Sequence, residues 1–328
     1  MEGGAATNKL ERTLVTTLKA HKDEVTALAA GNATADVSES RMLISASRDK
    51  SILIWQLTPG EAESSRGQPF GTPFRALRGH NHFVSDIVLS KDNQHLFSAS
   101  WDKTVRHWEL KNCTCSSTFL GAQGPLTSVS FSHDSRKLYT SGVGNSIALW
   151  NTKGVQMSQG GDFGPDNWAA RVCCSPSPKN DYLASIDREG WLSIWEGSFE
   201  NKARVRAHEA PGTALTISFN GLYIATGGRD NTVKIWSLRS LAEPHQVVKC
   251  SAPVNDIVFN PQMKIFAVVT DAEVAVYNLD PSVKEPNFSV PLEKGQRKFT
   301  AVAWSAEGKY LFCGCANGDI PVHKVSLA

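Results

Sequence analysis

Long apolar runs are missing from this sequence, and so is any sustained helical periodicity. No apolar stretch reaches the 18 residues of a membrane-spanning helix, and the opening MEGGAATNKLERT lacks the apolar core of a secretory signal. No segment repeats its apolar residues every 3.6 positions, so helix is expected to be essentially absent and strands must build the core. Charge of one sign is missing too. Lys and Arg number 34 against 32 Asp and Glu, a net charge of +2, so any contact with nucleic acid or membrane must come from local clustering. The seven cysteines are an odd number with no C-x-x-C pair, which excludes both a disulfide framework and the common zinc motifs. With 41% hydrophobic and 20% charged residues, a soluble protein of a reducing compartment is expected, with a proper core.

What the chain does have is a repeat. SASRDKSILIW (Ser45 to Trp55) returns as SASWDKTVRHW (Ser98 to Trp108), and the pattern continues to Trp150, Trp195 and Trp236. The same period puts Tyr277 and His323 at the sixth and seventh equivalents. Seven units of about 40–45 residues match the period of a four-stranded propeller blade. Each unit holds a short apolar run (MLISAS, HLFSAS, KLYTSG, YLASID, LYIATGG, IFAVVT) followed by a tight polar turn and a β-rich segment such as SILIW or NTVKIW. Upstream runs such as EVTALAA, FVSDIVLS and FTAVAWS fit the first strand of each blade.

Three units carry a full polar set: His21, Ser45, Asp49 and Trp55; His80, Ser98, Asp102 and Trp108; His208, Thr226, Asp230 and Trp236. In each, the Asp stands six residues before the Trp and four after the hydroxyl residue. These groups can form one chain of hydrogen bonds, Asp to His to hydroxyl to indole, and buried polar groups persist when so satisfied. A His-Ser-Asp hydrolase is the competing reading, and three copies in structural register argue against it. The set resembles the tetrad of WD-repeat β-propellers and implies an all-β, seven-bladed WD-repeat β-propeller. Departures are plain. No unit has the literal Trp-Asp pair; the third has Ala122 and Gly144 at the His and Asp positions, the fourth Glu189, the sixth Asp271 with Tyr277 for Trp, and the seventh Asn317 and His323 with Pro321 inside its third strand.

ALRGHNHFVSDIVLS (Ala76 to Ser90), SASWDKTVRHW, LWNTKGV and AVAWSAEGKYLFCG narrow the likeness. They are similar to the receptor for activated C kinase family, ribosome-associated WD scaffolds related to G-protein β subunits. The likeness runs from about Leu14 onward and is thinnest in blades 4 and 6. It implies a flexible segment 1–12 and a propeller over 13–328, with LVTTLKA supplying the outer strand of blade 7. In such propellers the b–c turns and d–a connections share one face, which here carries Lys22, Arg48, Lys50, Arg78, His82 and Lys103, with Arg75 in the adjoining strand. The acidic inserts with Asp36, Glu39, Glu61 and Glu63 fall on the other face. The family touches ribosomal RNA through the positions of Arg48, Lys50, Arg75 and Arg78. The same charges also fit an ordinary solvated surface. Because Asp49 is committed to its tetrad, Arg48 and Lys50 are expected to face outward, free.

The resemblance implies a non-enzymatic scaffold without cofactor or metal, monomeric and cytoplasmic, bound to the small ribosomal subunit through blades 1 and 2. Its other blades would recruit protein kinases, such as protein kinase C, and other signalling proteins. A G-protein β-type subunit is the alternative, but the segment before LVTTLKA shows no heptads for pairing with γ. An enzyme would need a convergent cluster of carboxylates or histidines on the central openings, and the turns show none. Cys113/Cys115, Cys173/Cys174 and Cys313/Cys315 read as small buried residues of strands, His107 as a core or edge residue with a hydrogen-bond partner, and 279–298 as a long blade 6–7 connection that protrudes in the family.

Overall fold

The computed structural model describes residues 10–32, 41–58, 69–144, 146–161, 163, 166–178, 181–196, 199–293 and 297–327. Among them are 28 strands and no helix, so no helix is long and apolar enough to cross a membrane. The strands form seven antiparallel four-stranded sheets. Blade 1 is β2 (Val25–Ala30), β3 (Met42–Ser47), β4 (Ser51–Leu57) and β5 (Gly71–Arg78); blade 2 is β6 (Val84–Leu89), β7 (His95–Ser100), β8 (Val105–Glu109) and β9 (Thr114–Phe119). Blade 3 is β10 (Leu126–Phe131), β11 (Lys137–Gly142), β12 (Ile147–Asn151) and β13 (Gln156–Gly160); blade 4 is β14 (Ala169–Cys174), β15 (Leu183–Asp187), β16 (Trp191–Glu196) and β17 (Glu200–Arg206). Blade 5 is β18 (Gly212–Ile217), β19 (Tyr223–Gly228), β20 (Thr232–Ser237) and β21 (Gln246–Lys249); blade 6 is β22 (Val254–Phe259), β23 (Ile265–Thr270), β24 (Glu273–Asn278) and β25 (Phe288–Pro291). Blade 7 joins β26 (Phe299–Trp304), β27 (Tyr310–Cys315) and β28 (Asp319–Leu327) to β1 (Leu10–Lys19) from the other end of the chain.

The ring is a seven-bladed β-propeller. Each blade's first strand touches the first strands of both neighbours, which puts these strands around the axis. Both faces of each sheet are covered by neighbouring blades, so second strands such as β23 and β27 are buried along their whole length. That is why IFAVVT and YLFCGC read as continuous apolar runs rather than alternating ones. Apolar clusters fill the junctions, for example Leu43, Val25 and Trp55 of blade 1 against Phe312, Ile320 and Val322 of blade 7.

β1 pairs with β28 over Leu10–Lys19. It starts four residues ahead of the Leu14 suggested by the sequence, so Leu10, Glu11 and Arg12 belong to the propeller, and of the segment 1–12 residues 1–9 lie outside the described residues. A belt of side-chain to backbone bonds runs around the axis as well. Thr26 donates to the Val84 carbonyl, Ser85 to Leu126 at 2.7 Å, Thr127 to Ala169 at 3.3 Å, and Thr213 to Val254. Asn255 donates to Phe299 at 2.7 Å, and Thr300 closes the circle on Val25. Blade 4 has Ala170 at this position and no side-chain donor to offer blade 5.

Two features weaken the blade 7 seam. Pro321 lies in β28, opposite Thr17 of β1. A proline inside a strand leaves a gap in the ladder, expected to show as a bulge or a frayed segment. No bulge falls at Pro321, because the register shift lies at Val15, and blades 1 to 4 show the same shift next to their tryptophans, so it belongs to the repeat. The proline acts on the other side of the strand. The β27–β28 ladder holds three cross-strand pairs and stops at Phe312 and Val322, where β7–β8 holds five. His323, opposite Leu311 as Trp55 is opposite Leu43, is 1% exposed, and neither ring nitrogen has a hydrogen-bond partner among the described residues. Cys313 occupies the place of the Ser45 hydroxyl. Burial, with help from the Arg12 charge, holds the His323 pKa down at about 4.

Hydrogen exchange should therefore find Ile320–Lys324 less protected than Val105–Glu109, and equal protection would show that the shortened ladder costs nothing. His323 makes a second prediction. Its folded pKa of about 4 lies below the unfolded value near 6.5, so the unfolded chain takes up a proton first. Its contribution to stability is complete above about pH 6.5 and lost as pH falls towards 4, by about 3 kcal/mol. His323→Phe should raise Tm at pH 7, because it removes two unpaired buried nitrogens. It should also flatten the decline of Tm between pH 6.5 and 4. A decline as steep as in the parent would mean the ring is solvated.

Candidate functional site

The site is built on turns, and the turns are held by the polar sets. In blade 1, His21 Nδ1 lies 2.9 Å from Asp49 Oδ2 and Nε2 lies 2.7 Å from Ser45 Oγ, which accepts the Trp55 indole N–H at 2.8 Å. Blade 2 repeats this through His80, Asp102, Ser98 and Trp108 at 2.8, 2.7 and 2.9 Å. In blade 5, His208, Asp230, Thr226 and Trp236 give 3.0, 2.9 and 3.0 Å. The chemistry fixes the protons. An indole can only donate and a carboxylate can only accept, so the hydroxyl donates to Nε2 and the imidazole proton sits on Nδ1, facing the Asp. In blade 5, burial favours the neutral ring and lowers the His208 pKa.

Each Asp gathers more donors. Asp49 accepts from the Lys22 and Ser51 amides and the Ser51 hydroxyl; Asp102 accepts from the Asn81 and Thr104 amides and the Thr104 hydroxyl. Burial pushes both carboxyls up, but the bonds from His, hydroxyl and amide outweigh it and hold them well below the usual carboxylate range. Each Asp thereby ties the b–c turn to the connection entering its own blade. In blades 3 and 4 only the inner half survives, Trp150 to Thr140 at 2.9 Å and Trp195 to Ser185 at 2.8 Å. Asp187 takes over the blade 4 turn, accepting the Glu189 and Trp191 amides. Asp271 is not a tetrad Asp. Its amide donates to Pro253 O as the Arg48 amide donates to Glu24 O, which puts it in the slot of Arg48, and it accepts from Asn255 at 2.9 Å.

These turns set the basic residues of blades 1 and 2 on one face. Lys50 and Lys103 occupy left-handed turn positions, with φ 69° and 67°, and both are exposed. Lys22, Arg78 and His82 are exposed on the same side. Among the described residues, Lys22, Lys50, Arg78 and Lys103 make no ion pair. Arg48 differs from expectation. It pairs with Glu24 at 3.4 Å and lies over the Phe83 ring at 5.3 Å, at a cavity of about 340 Å³ in the axial mouth. Lys298 reaches the other Glu24 oxygen at 3.6 Å. Arg75 is also displaced. It lies on the outer strand β5 opposite Ile54, over its neighbour Phe74 at 4.9 Å, roughly 10 Å along the strand from Arg78. The acidic residues Asp36, Glu39, Glu61 and Glu63 lie outside the described residues.

A charged cluster below the mouth is not legible in the sequence. Arg171 Nη1 is 3.3 Å from Asp86 Oδ2, and Asp86 also accepts the Ser128 hydroxyl at 2.7 Å and the Val129 amide at 3.0 Å. Asp256, which accepts the Val302 and Ile257 amides, faces the same guanidinium. Burial pushes Asp256 up, and Arg171 counters it. The only signal was an acid or base one residue past each strand bulge, in blades 40 and more residues apart. Elsewhere, Cys313 and Cys315 are buried in β27, with burial raising the Cys315 thiol to about 12, whereas Cys115 is exposed in β9 and Cys113 sits in the turn before it. His107 is half-buried, stacked on Phe97 and bonded to His95 at 3.0 Å. Part of 279–298 is ladder rather than loop, since β25 pairs with β24. Among the described residues, no three His, Cys, Asp or Glu side chains are grouped to hold a metal ion.

Comparison with known proteins agrees with this geometry. Residues 12–56, 71–109, 113–151 and 200–237 match the family described as WD domain, G-beta repeat, and these include every blade with a complete tetrad. Over 310 residues, 93% of this chain and 94% of the relative, the chain is 33% identical to "Small ribosomal subunit protein RACK1" of Neurospora crassa. It is also 33% identical, over the same shares, to "MST50-interacting protein 11" of Pyricularia oryzae. With seven blades, three complete tetrads and this likeness along nearly its whole length, the chain belongs to the receptor for activated C kinase family of WD-repeat propellers.

Proposed function

We propose that this propeller is a non-enzymatic scaffold that docks on the small ribosomal subunit through the tetrad-held turns of blades 1 and 2. The observation that carries the reading is the set of cations there: Lys22, Lys50, Arg78 and Lys103 have no ion-pair partner among the described residues, while Arg48, Arg171, Arg204 and Arg206 are each paired. Cations fixed on tetrad-held turns and unpaired among the described residues suit a phosphate backbone at a defined place. The relative named as a small ribosomal subunit protein supports RNA of that subunit as the ligand. Arg48 contributes as a half-neutralised cation at the edge of this face, and Arg75 serves a contact reaching around the rim. The remaining blades would recruit protein partners, including signalling kinases, in the cytoplasm.

Lys50→Glu combined with Lys103→Glu is the cleanest test, because reversal of Arg48 would also set a carboxylate against Glu24. Exposed changes of this kind cost within about 0.5 kcal/mol of stability. The double variant should fold normally yet leave the small-subunit fractions of a lysate gradient. Its RNA affinity should show a salt slope shallower by about 1.4–1.8. Arg188→Glu with Arg229→Glu, on the same face in blades 4 and 5, should stay bound. Co-sedimentation of the Lys50/Lys103 variant at moderate salt would refute docking through this face.

A further inference from the structure

The turn slot defined by Arg48 can be followed around the ring through one backbone bond to the preceding connection. It holds Arg48, Trp101, Val143, Arg188, Arg229, Asp271 and Ala316 in blades 1 to 7. Blade 2 alone places a large aromatic there. Trp101 is 45% exposed, whereas the blade tryptophans Trp55, Trp108, Trp150 and Trp236 are at most 2% exposed. Nothing about the tetrad requires an indole in this slot, since the complete tetrads of blades 1 and 5 carry Arg.

The ring is also held in a defined setting. His82 lies nearly parallel to it, with centroids 5.8 Å apart and planes at 18°, and Phe83 lies 6.0 Å away. The His82 orientation is fixed because its Nδ1 accepts the Phe83 amide at 2.9 Å. The Arg48 guanidinium covers Phe83. Beneath, the turn is locked by the Asp102 bonds and by the Lys103 amide to Ser100 O at 3.2 Å. The result is a rigid aromatic shelf, open to solvent, bordered by Arg48 on one side and Lys103 in its own turn. Such a shelf needs little ordering when a flat ring settles on it.

We propose that Trp101, backed by His82, is a stacking platform for an unpaired RNA base, so that the docking face selects looped or single-stranded RNA over regular duplex. This rests on the RNA-docking reading and deepens it. Base faces are hidden inside an A-form helix and are available only where nucleotides are unstacked. Aromatic stacking beside cations that hold the phosphates is the general means of gripping such nucleotides, and it works with any base.

The test measures binding of the full chain to three RNAs of equal length: a hairpin with a purine-rich loop, an unstructured strand and a blunt duplex. Trp101→Ala should weaken the first two roughly tenfold and leave the duplex nearly unchanged. Trp101→Phe should retain most of the affinity, and Trp101→Leu, equally apolar but flat-faced no longer, should not. The salt slope should stay as in the parent for all three, since no phosphate contact is removed. A 2-aminopurine in the loop should change fluorescence on binding to the parent but not to Trp101→Ala. Looped RNA bound as tightly by folded Trp101→Ala and Trp101→Leu as by the parent, with Lys50→Glu/Lys103→Glu still impaired, would overturn the platform and keep the docking face. RNA binding indifferent to every one of these variants would overturn both. Loss of a protein partner from Trp101→Ala with RNA binding intact would reassign the shelf to protein and overturn the proposal.

Discussion

The ring closes without a covalent bond, by pairing the first strand of the chain with the last. β1 against β28 completes blade 7, and the Thr300 hydroxyl completes the inner belt on Val25. A propeller blade has one sheet edge toward the axis and one toward solvent, so a missing β1 would expose the long backbone edge of β28. Packing at the seam depends on the same closure, because Leu18, Val25, Leu43 and Trp55 cover Phe312, Ile320 and Val322. Yet the seam contains Pro321, where a ladder is shortened, and His323, a buried ring with no hydrogen-bond partner among the described residues. The junction that closes the ring thus lacks the complete tetrad that blades 1, 2 and 5 have.

That imbalance fits a division of labour among blades. Blades 1, 2 and 5 spend buried polar groups on fixing turns, and charged hydrogen bonds of this kind contribute about 1.5–3 kcal/mol each. Blades 6 and 7 replace the chain with apolar contact: Tyr277 stacks on Phe266 at 5.7 Å, and Cys313 sits where a serine hydroxyl would be. A turn tied through its Asp to the histidine and amide of the preceding connection keeps its exposed side chains in place, whereas among the described residues the turns of blades 6 and 7 have local bonds and no such tie to a histidine. The basic residues and Trp101 are found on the turns of the first kind. Below them, Arg171 joins Asp86 of blade 2 and lies within reach of Asp256 of blade 6, so two carboxylates and one guanidinium tie alternate blades together across the axis. Removing Arg171 would leave two buried carboxylates facing each other, the costly half of a broken ion pair.

By itself the sequence determined the number of blades, the strands within each and the three complete tetrads. These follow from local rules: a period of about forty residues, apolar runs of strand length, and hydroxyl, Asp and Trp at fixed steps along two neighbouring strands, where geometry hardly varies. It also marked which blades had lost their polar sets, and put Tyr277 and His323 at the right places. What only the tertiary structure decided depends on the curvature of the closed ring. Arg48 finds Glu24 and Phe83 because the connection entering each blade folds over its turn, so a charge that looks free along the chain is half neutralised in space. Asp271 keeps the tetrad spacing to Tyr277 but lies one slot early, because that turn is a residue shorter. Asp86 and Arg171 meet although 85 positions apart, since seven wedges around an axis bring their innermost strands within reach. Spacing along a strand is written in the chain, but which side chains converge at the mouth is set by the angle at which the blades close.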